Sequence, residues 1–236
     1  MGELMVILPF VLASVCLQEL PTGSDVVAKY VEAKGGTALL KQVTTYRLLL
    51  ETRLDGKKTA STEALQSGNR HLTEHTLSDG SKISHGTDGK VAWFTDKQGL
   101  GYRLKGAQLQ DYLRHNTTMH EALAWPTQYP KIECVGTQQI DGSKAYEVHF
   151  KPTSGGTVVR FFDVKSGLFI REISPVDEQG LQSISSISDY RRVGGILVPH
   201  KRTVRVGEQV TEYTVLSAES NVLIPESRFA EPKSGP

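Results

Sequence analysis

The seven histidines are the residues with the most obvious capacity for chemistry, and two pairs of them lie close together in the sequence. His71 and His75 stand in a predicted strand, which rises about 3.3 Å per residue and so separates them by about 13 Å, too far to share one ion. His115 and His120 flank a polar break with Glu121 as the nearby carboxylate, which is not the ligand spacing of a zinc site. We therefore predict surface histidines, no bound metal and no other cofactor.

The arrangements that activate a nucleophile are also missing from the sequence. It contains no Gly-x-Ser-x-Gly motif, and Cys134 stands in a strand-like segment with no base beside it, which predicts a small apolar filler. Asp88, Asp141 and Asp163 stand at turns, where an aspartate bonds its own backbone. We predict no catalytic residues and no enzymatic activity; an enzyme would require histidines and carboxylates that converge in a pocket.

Charge gives no sign of a nucleic-acid partner. The 27 basic and 26 acidic residues are interspersed along the 236-residue chain, for a formal net charge of +1. Nucleic-acid binding needs a basic stripe or patch, and this sequence has none. Partners selected mainly by charge are therefore not expected.

The first 18 residues have the features of a secretory signal peptide. Residues 4–17 are almost wholly apolar, a run too short to span a bilayer core of about 30 Å. The expected positive charge before this run is missing, so a buried apolar first strand or helix stays an alternative. Cys16 follows small residues and also fits a lipoprotein signal, but Val15 is a poor match to it. We predict a signal peptide at 1–18 and export without lipidation at Cys16.

Helical patterns follow the signal and return in mid-chain. Ser24 is a candidate N-cap, the apolar residues from Val26 to Val31 recur at helical spacing, and Gly35-Gly36 ends this helix. A shorter helix is predicted from Thr37 to about Gln42. Residues 105 to about 123 show helical spacing again, which predicts a helical segment inserted between two halves of a sheet.

From Thr44 onward the pattern has a period of two. Tyr46, Leu48 and Leu50 share one side of the first strand, and turn signals such as Asp55-Gly56 and Asp141-Gly142 then recur after every 6 to 12 residues, roughly the spacing of a β-meander. A long antiparallel sheet twists and curls. The sequence thus predicts a mainly β fold: an open, half-barrel antiparallel sheet of about eleven strands, with helices covering or plugging its concave side. This domain is predicted at 19–230, before a flexible tail at 231–236.

Several segments, taken in their order and spacing along the chain, carry a resemblance to a known family. They are Tyr30-Val31-Glu32-Ala33-Lys34-Gly35-Gly36 followed by Ala38-Leu39, Gly86-Thr87-Asp88-Gly89-Lys90-Val91-Ala92-Trp93, Gly136 through Asp141-Gly142 into Ala145-Tyr146-Glu147-Val148, Phe162-Asp163-Val164-Lys165-Ser166-Gly167-Leu168, Ser188-Asp189-Tyr190-Arg191, Gly195-Ile196-Leu197-Val198-Pro199-His200, and Asn221-Val222 with Phe229 and Pro232. Together these segments are similar to the LolA-like superfamily, in particular to its outer membrane lipoprotein-sorting branch. The resemblance implies a half-barrel of about eleven strands covered by helices, located in the periplasm of a bacterium with two membranes. Relatives named for this fold shield the acyl chains of lipoproteins between membranes.

A concave apolar surface that is not fully covered is a site for a hydrophobic ligand. The function predicted is therefore a periplasmic, non-enzymatic binding or carrier module for a lipid, an acyl chain or a lipoprotein. The alternative is an envelope sensor or scaffold that recognises a protein partner. Each candidate cavity residue has plain core packing as its alternative role. The candidates are Tyr46, Leu48, Leu50, Trp93, Tyr146, Val148, Phe150, Phe162 and Ile170.

Overall fold

The computed structural model describes residues 19–116, 120–153, 155–176 and 180–232, so the predicted signal peptide and Cys16 lie outside the described residues. None of the helices in these ranges combines the length and apolar character that crossing a bilayer requires. The elements in chain order are α1 (Gly23–Lys34), α2 (Gly36–Gln42), β1 (Thr45–Leu54), β2 (Lys57–Ser67), β3 (Arg70–Leu77), β4 (Lys82–Thr87), β5 (Ala92–Thr95), β6 (Gly101–Arg103), α3 (Gly106–Asn116), α4 (Glu121–Gln128), β7 (Lys131–Ile140), β8 (Ser143–Lys151), β9 (Val158–Asp163), β10 (Phe169–Ile173), β11 (Ser183–Val193), β12 (Ile196–Val206), β13 (Gln209–Ser220) and a 3₁₀ helix (Glu226–Phe229).

All thirteen strands of the described ranges form one antiparallel sheet. Its order is β6-β5-β4-β3-β2-β1-β13-β12-β11-β10-β9-β8-β7, so two meanders are joined where the first strand pairs with the last. The sheet does not close: β6 and β7 are its two edges, and α3 and α4 lie between them in the chain. The predicted mainly β, open antiparallel fold is confirmed. The strand count exceeds the predicted eleven because β5, β6 and β10 are only 4, 3 and 5 residues long and carry weak periodic signals.

The turn residues account for the tight hairpins. Asp55 and Gly56 have φ of 47° and 78°, and Asp141 and Gly142 have φ of 49° and 83°. Two consecutive residues with positive φ define a type I′ turn, whose twist matches that of the strands it joins. The Asp-Gly pairs therefore set the register of β1 with β2 and of β7 with β8.

Helix α1 begins two residues earlier than predicted and has a different cap. Thr22, not Ser24, is the N-cap: its hydroxyl accepts a hydrogen bond from the Asp25 amide, and the Asp25 carboxylate accepts one from the Thr22 amide. This reciprocal capping box satisfies two amides that the first turn would leave unpaired, so it overrides the single signal of Ser24. The helix ends as predicted at Gly35, whose φ of 132° disfavours a side chain.

The predicted helical segment in mid-chain is present, as α3 and α4, but it extends further than predicted. Helix α4 continues through Pro126 to Gln128, beyond the end predicted at about residue 123. Pro126 cannot donate a hydrogen bond, but Trp125 is buried and the Tyr129 amide still donates to the Trp125 carbonyl. Burial of Trp125 therefore outweighs the cost of proline in this short helix.

Helices α1, α2 and α4 cover part of one face of the sheet, which we call the inner face. The ring of Tyr30 stacks on Trp125 at 5.7 Å, and Trp125 meets Phe150 edge-on at 5.3 Å. We call this packed region the helical plug. Its buried residues are Val26, Val27, Tyr30, Val31, Leu40, Val43, Ala122, Trp125, Tyr129, Val148, Phe150, Phe162 and Ile196.

The C-terminal segment, residues 222–232, crosses the opposite or outer face, and we call it the C-terminal strap. Phe229 is 1% exposed and packs with Leu65, Leu72 and Trp93. Ion pairs hold the strap on both sides of this contact, among them Arg103 with Glu231 at 2.6 Å. Glu231 is thus anchored, although the sequence assigned it to the flexible tail; residues 233–236 lie outside the described part of the chain.

Three histidines meet on the inner face of β3 and β4, which corrects the prediction of surface histidines for His71 and His75. Although these two are far apart along β3, His85 of β4 lies between them, with ring centroids 5.7 Å from each. The Tyr112 hydroxyl of α3 lies 2.8 Å from His85 Nδ1. Sequence spacing within one strand does not reveal such a neighbour, because it is supplied by the pairing of two strands. Among the described residues, no three His, Cys, Asp or Glu side chains are placed to hold a metal ion.

We expect Phe229→Ala to lower the free energy of unfolding by about 3–5 kcal/mol, since it removes a buried aromatic ring from the outer-face cluster. Urea unfolding followed by tryptophan fluorescence measures this change. Leu223→Ala is the matched control in the same strap: Leu223 is 96% exposed, so its truncation should alter stability by less than about 0.5 kcal/mol. Equal effects of the two changes would contradict the strap contact.

We expect stability to fall between pH 7 and pH 5 because of the histidine cluster. Burial lowers the pKa of His71 and of His85 from 6.5 to about 4. Below pH 6.5 the unfolded chain therefore takes up protons that the folded chain does not accept until about pH 4, which favours unfolding. The loss attributable to His71 is about 2 kcal/mol at pH 5.

Urea unfolding at both pH values measures this loss. His71→Gln keeps a polar group beside Thr73 but cannot be protonated, so its stability should depend less steeply on pH than that of the unchanged protein. An identical pH dependence in the two proteins would rule out this account.

Candidate ligand-binding cavity

A cavity of about 500 Å³ remains on the inner face where the helical plug ends. This volume lies within the range of about 300–1,000 Å³ that is usual for small-molecule sites. Its lining comes from strands of both meanders and from the ends of two helices. The lining residues are Lys34, Tyr46, Leu48, Leu50, Ala64, Leu65, Gln66, His71, Glu121, Phe169, Glu172, Ser185, Ile187, Val198, Pro199, His200, Lys201, Arg202, Tyr213 and Val215.

A second depression of similar volume lies at the start of β1 and does not suit an apolar ligand. It is lined by residues 43–45, residues 67–70 and Glu226, which apart from Val43 are polar, charged or glycine. It has no apolar floor, so the inner-face cavity is the candidate site.

The floor of the cavity is formed by alternate residues of β1. Tyr46, Leu48 and Leu50 point into it, while Arg47 and Glu51 point outward into ion pairs with Glu63 and Lys58. A bulge between Leu49 and Leu50 shifts the register with β13 and places Leu50 opposite Val215. The structure thus brings three of the nine candidate residues together in the cavity.

Four further candidates lie in or against the helical plug. Val148, Phe150 and Phe162 have no exposed surface, and Tyr146 packs against the same cluster. The aromatic rings of α1 and α4 cover them, so they pack in the core on the correct face of the sheet. This is the core-packing alternative that the sequence left open for each candidate.

Trp93 and Ile170 lie on the outer face. Cross-strand pairing runs from Arg47 through Leu65, Leu72 and Gly86 to Trp93, and partners in such a row share a face. The Trp93 ring lies over Gly86, where an added Cβ would come within 2.6 Å of it. Ile170 packs against a separate outer cluster of Ile140, Ala145 and Phe161.

Sequence reasoning did not select the apolar residues that the last three strands add to the cavity. Ile187 of β11, Val198 of β12 and Val215 of β13 all line it. Each stands at an alternating position of its strand, but only the pairing of β13 with β1 shows that these positions continue the β1 floor.

Charged groups also border the cavity, and one of them is neutralised within the fold. The Glu172 carboxylate lies 2.8 Å from Nε of Arg160, whose guanidinium is buried between the rings of Trp125 and Phe150, at 4.2 and 4.4 Å. The exposed Arg202 donates a hydrogen bond to the Ser185 hydroxyl at 3.0 Å. Burial raises the pKa of Tyr46, so this hydroxyl stays neutral at physiological pH. The cavity therefore has an apolar, uncharged floor and a polar border.

No protein-family model matches the sequence, and no curated protein matches it. Solved structures do match the fold. A DUF1329 family protein from Desulfovibrio piger superimposes with a TM-score of 0.62 at 13% identity, over 88% of this chain and 96% of that one. A domain described as an outer membrane lipoprotein-sorting protein domain, from Vibrio parahaemolyticus, gives 0.62 at 11% identity, over 88% and 97%.

A LolA superfamily protein from Nitrosomonas europaea gives a TM-score of 0.61 at 12% identity, over 90% of this chain and 99% of that one. These three chains are matched over nearly their whole length. Identities this low establish the fold and leave the function to be argued from the site. The chain has the fold of the LolA superfamily and of the lipoprotein-sorting domains related to it.

Proposed function

We propose that this protein is a non-enzymatic binding or carrier module that holds a lipid or an acyl chain in the inner-face cavity. The observation that carries the proposal is the uncovered apolar floor of Tyr46, Leu48, Leu50, Val198 and Val215 beneath a volume of about 500 Å³. Water in contact with such a surface is unfavourable, so an apolar ligand is the occupant that this lining favours.

The energy available to an acyl chain is sufficient for binding. Each methylene hidden from water contributes about 0.8 kcal/mol, so a fourteen-carbon chain contributes around 10 kcal/mol before the costs of ordering and association are subtracted. Those costs take a large share of this energy, which suits a carrier because the ligand must also be released. The function requires no chemical step.

We also propose that the chain acts after export to the periplasm, with the domain at 19–230 as the working unit. The apolar run at residues 4–17 supports export, and the fold shared with the Vibrio lipoprotein-sorting domain supports an envelope role. The ligand transported between membranes would then be a lipid or the acyl part of a lipoprotein.

The alternative role as an envelope scaffold has less support. A scaffold that recognises a protein partner would be expected to have a solidly packed inner face beside an exposed apolar patch. Here the helical plug packs only part of the inner face, and the cavity beside it stays open.

The proposal is tested by filling the cavity. We expect Leu48→Trp to weaken binding of the neutral fluorescent probe N-phenyl-1-naphthylamine at least about tenfold, because the larger ring occupies the floor on which the ligand would lie. Fluorescence titration measures the affinity, and displacement by hexadecanol shows that the probe and an alkyl chain share one site.

Leu49→Trp is the matched control, since Leu49 is the next residue of β1, faces the outer side and is 37% exposed. Its probe affinity should equal that of the unchanged protein. Probe binding that is lost equally in both variants, or that hexadecanol does not displace, would refute the cavity as the binding site.

A further inference from the structure

Lys34, the last residue of α1, places an ammonium group in the lining of the cavity. The side chain is partly buried, and its Nζ lies 5.7 Å from the centre of the Tyr30 ring. Within the described part of the chain this ammonium forms no hydrogen bond and no ion pair. Burial lowers the pKa of Lys34, and the opposite effect of Glu121 is smaller. Among the described residues, this partly buried cation has the Tyr30 ring beside it but no carboxylate paired with it.

The other charged groups around the cavity do not neutralise the charge of Lys34. Glu172 is held by Arg160, so its charge is already compensated. Glu121, at the start of α4, is exposed and stands beyond ion-pair distance from Lys34. Arg202 is exposed and adds positive charge to the border, whereas the Lys201 side chain lies on the outer face, in the cross-strand row of Glu51. The cavity therefore presents an excess of positive charge beside an apolar floor.

Lys34 lies near the Tyr46 end of that floor. The pKa of His120 is lowered by burial and also by the charge of Lys34, and the His120 ring lies 6.0 Å from the ring of Tyr46. From Tyr46 the floor continues along β1 to Leu50, a length of about 13 Å at roughly 3.3 Å per residue. A charged group and an apolar track of this length are arranged as the two parts of an amphiphile would require.

We propose that the ligand of this cavity is an amphiphile whose anionic head group, a carboxylate or a phosphate, pairs with Lys34 while its alkyl chain lies along Tyr46, Leu48 and Leu50. This inference rests on the proposed function, because it requires that the cavity binds an alkyl chain. A charge-assisted hydrogen bond from the ammonium to the head group supplies the partner that the fold does not.

The test compares ligands with the same sixteen-carbon chain and different head groups. Binding of hexadecanoate, hexadecyl phosphate and neutral hexadecanol, each below its micellar concentration, is measured by displacement of N-phenyl-1-naphthylamine from the full chain. At least one anion should bind about tenfold more tightly than the alcohol. Preference for hexadecanoate alone identifies a carboxylate head group, and preference for hexadecyl phosphate alone identifies a phosphate.

Three variants assign the preference to Lys34. Lys34→Met keeps most of the length of the side chain without its charge and should bring the anions to the affinity of hexadecanol. Lys41→Met, at an exposed position of α2, should keep the preference, and Glu121→Gln should strengthen it by removing a repulsive carboxylate. Hexadecanol should bind all four proteins equally.

Two negative results have different meanings. If the unchanged protein binds all three ligands equally, or if Lys34→Met keeps the preference for anions, the head-group inference is wrong and the alkyl-chain function stands. If no ligand displaces the probe, including hexadecanol, the proposed function itself fails and the inference fails with it.

Discussion

The pairing of β1 with β13 is the constraint on which the rest of the structure depends. It joins residues 157 to 174 positions apart in the chain, from Leu54 opposite Thr211 to Tyr46 opposite Ser220, and it turns two separate meanders into one sheet. The cavity floor exists only because of it, since β1 contributes Leu50 and β13 contributes Val215 to the same surface. Pairing at this sequence distance carries a large loop-closure entropy, so we expect it to form late in folding, after the local hairpins.

Most of the fold could be predicted because its signals are local. Asp-Gly pairs with positive φ mark hairpins, and the alternation in β1 separates Tyr46, Leu48 and Leu50 from Arg47 and Glu51. The local sequence signals gave wrong helix boundaries where a competing interaction was stronger. The Thr22–Asp25 capping box took precedence over Ser24, and burial of Trp125 carried α4 through Pro126. The three-residue strand β6 is too short to show any periodicity.

The site was harder to predict because it depends on pairing between strands. Alternation shows that Trp93 and its neighbour Phe94 face opposite sides, but not which side is the inner one. That follows only from the row of partners that links Trp93 to Arg47. Similarly, nothing in the spacing of His71 and His75 reveals that His85 lies between them. Val148 and Phe162 face the correct side, but which part of that side the helices cover is a matter of tertiary packing.

The location of the sheet's opening has a mechanical consequence. Because no ladder hydrogen bonds join β6 to β7, the curvature of the sheet is limited at that edge only by side chains and by the crossing helices. A change in curvature would therefore exchange weak, non-directional apolar contacts and leave every strand pair intact. An open sheet of this kind can adapt to ligands of different cross-section at little energetic cost. A closed barrel would have to break backbone hydrogen bonds to do the same.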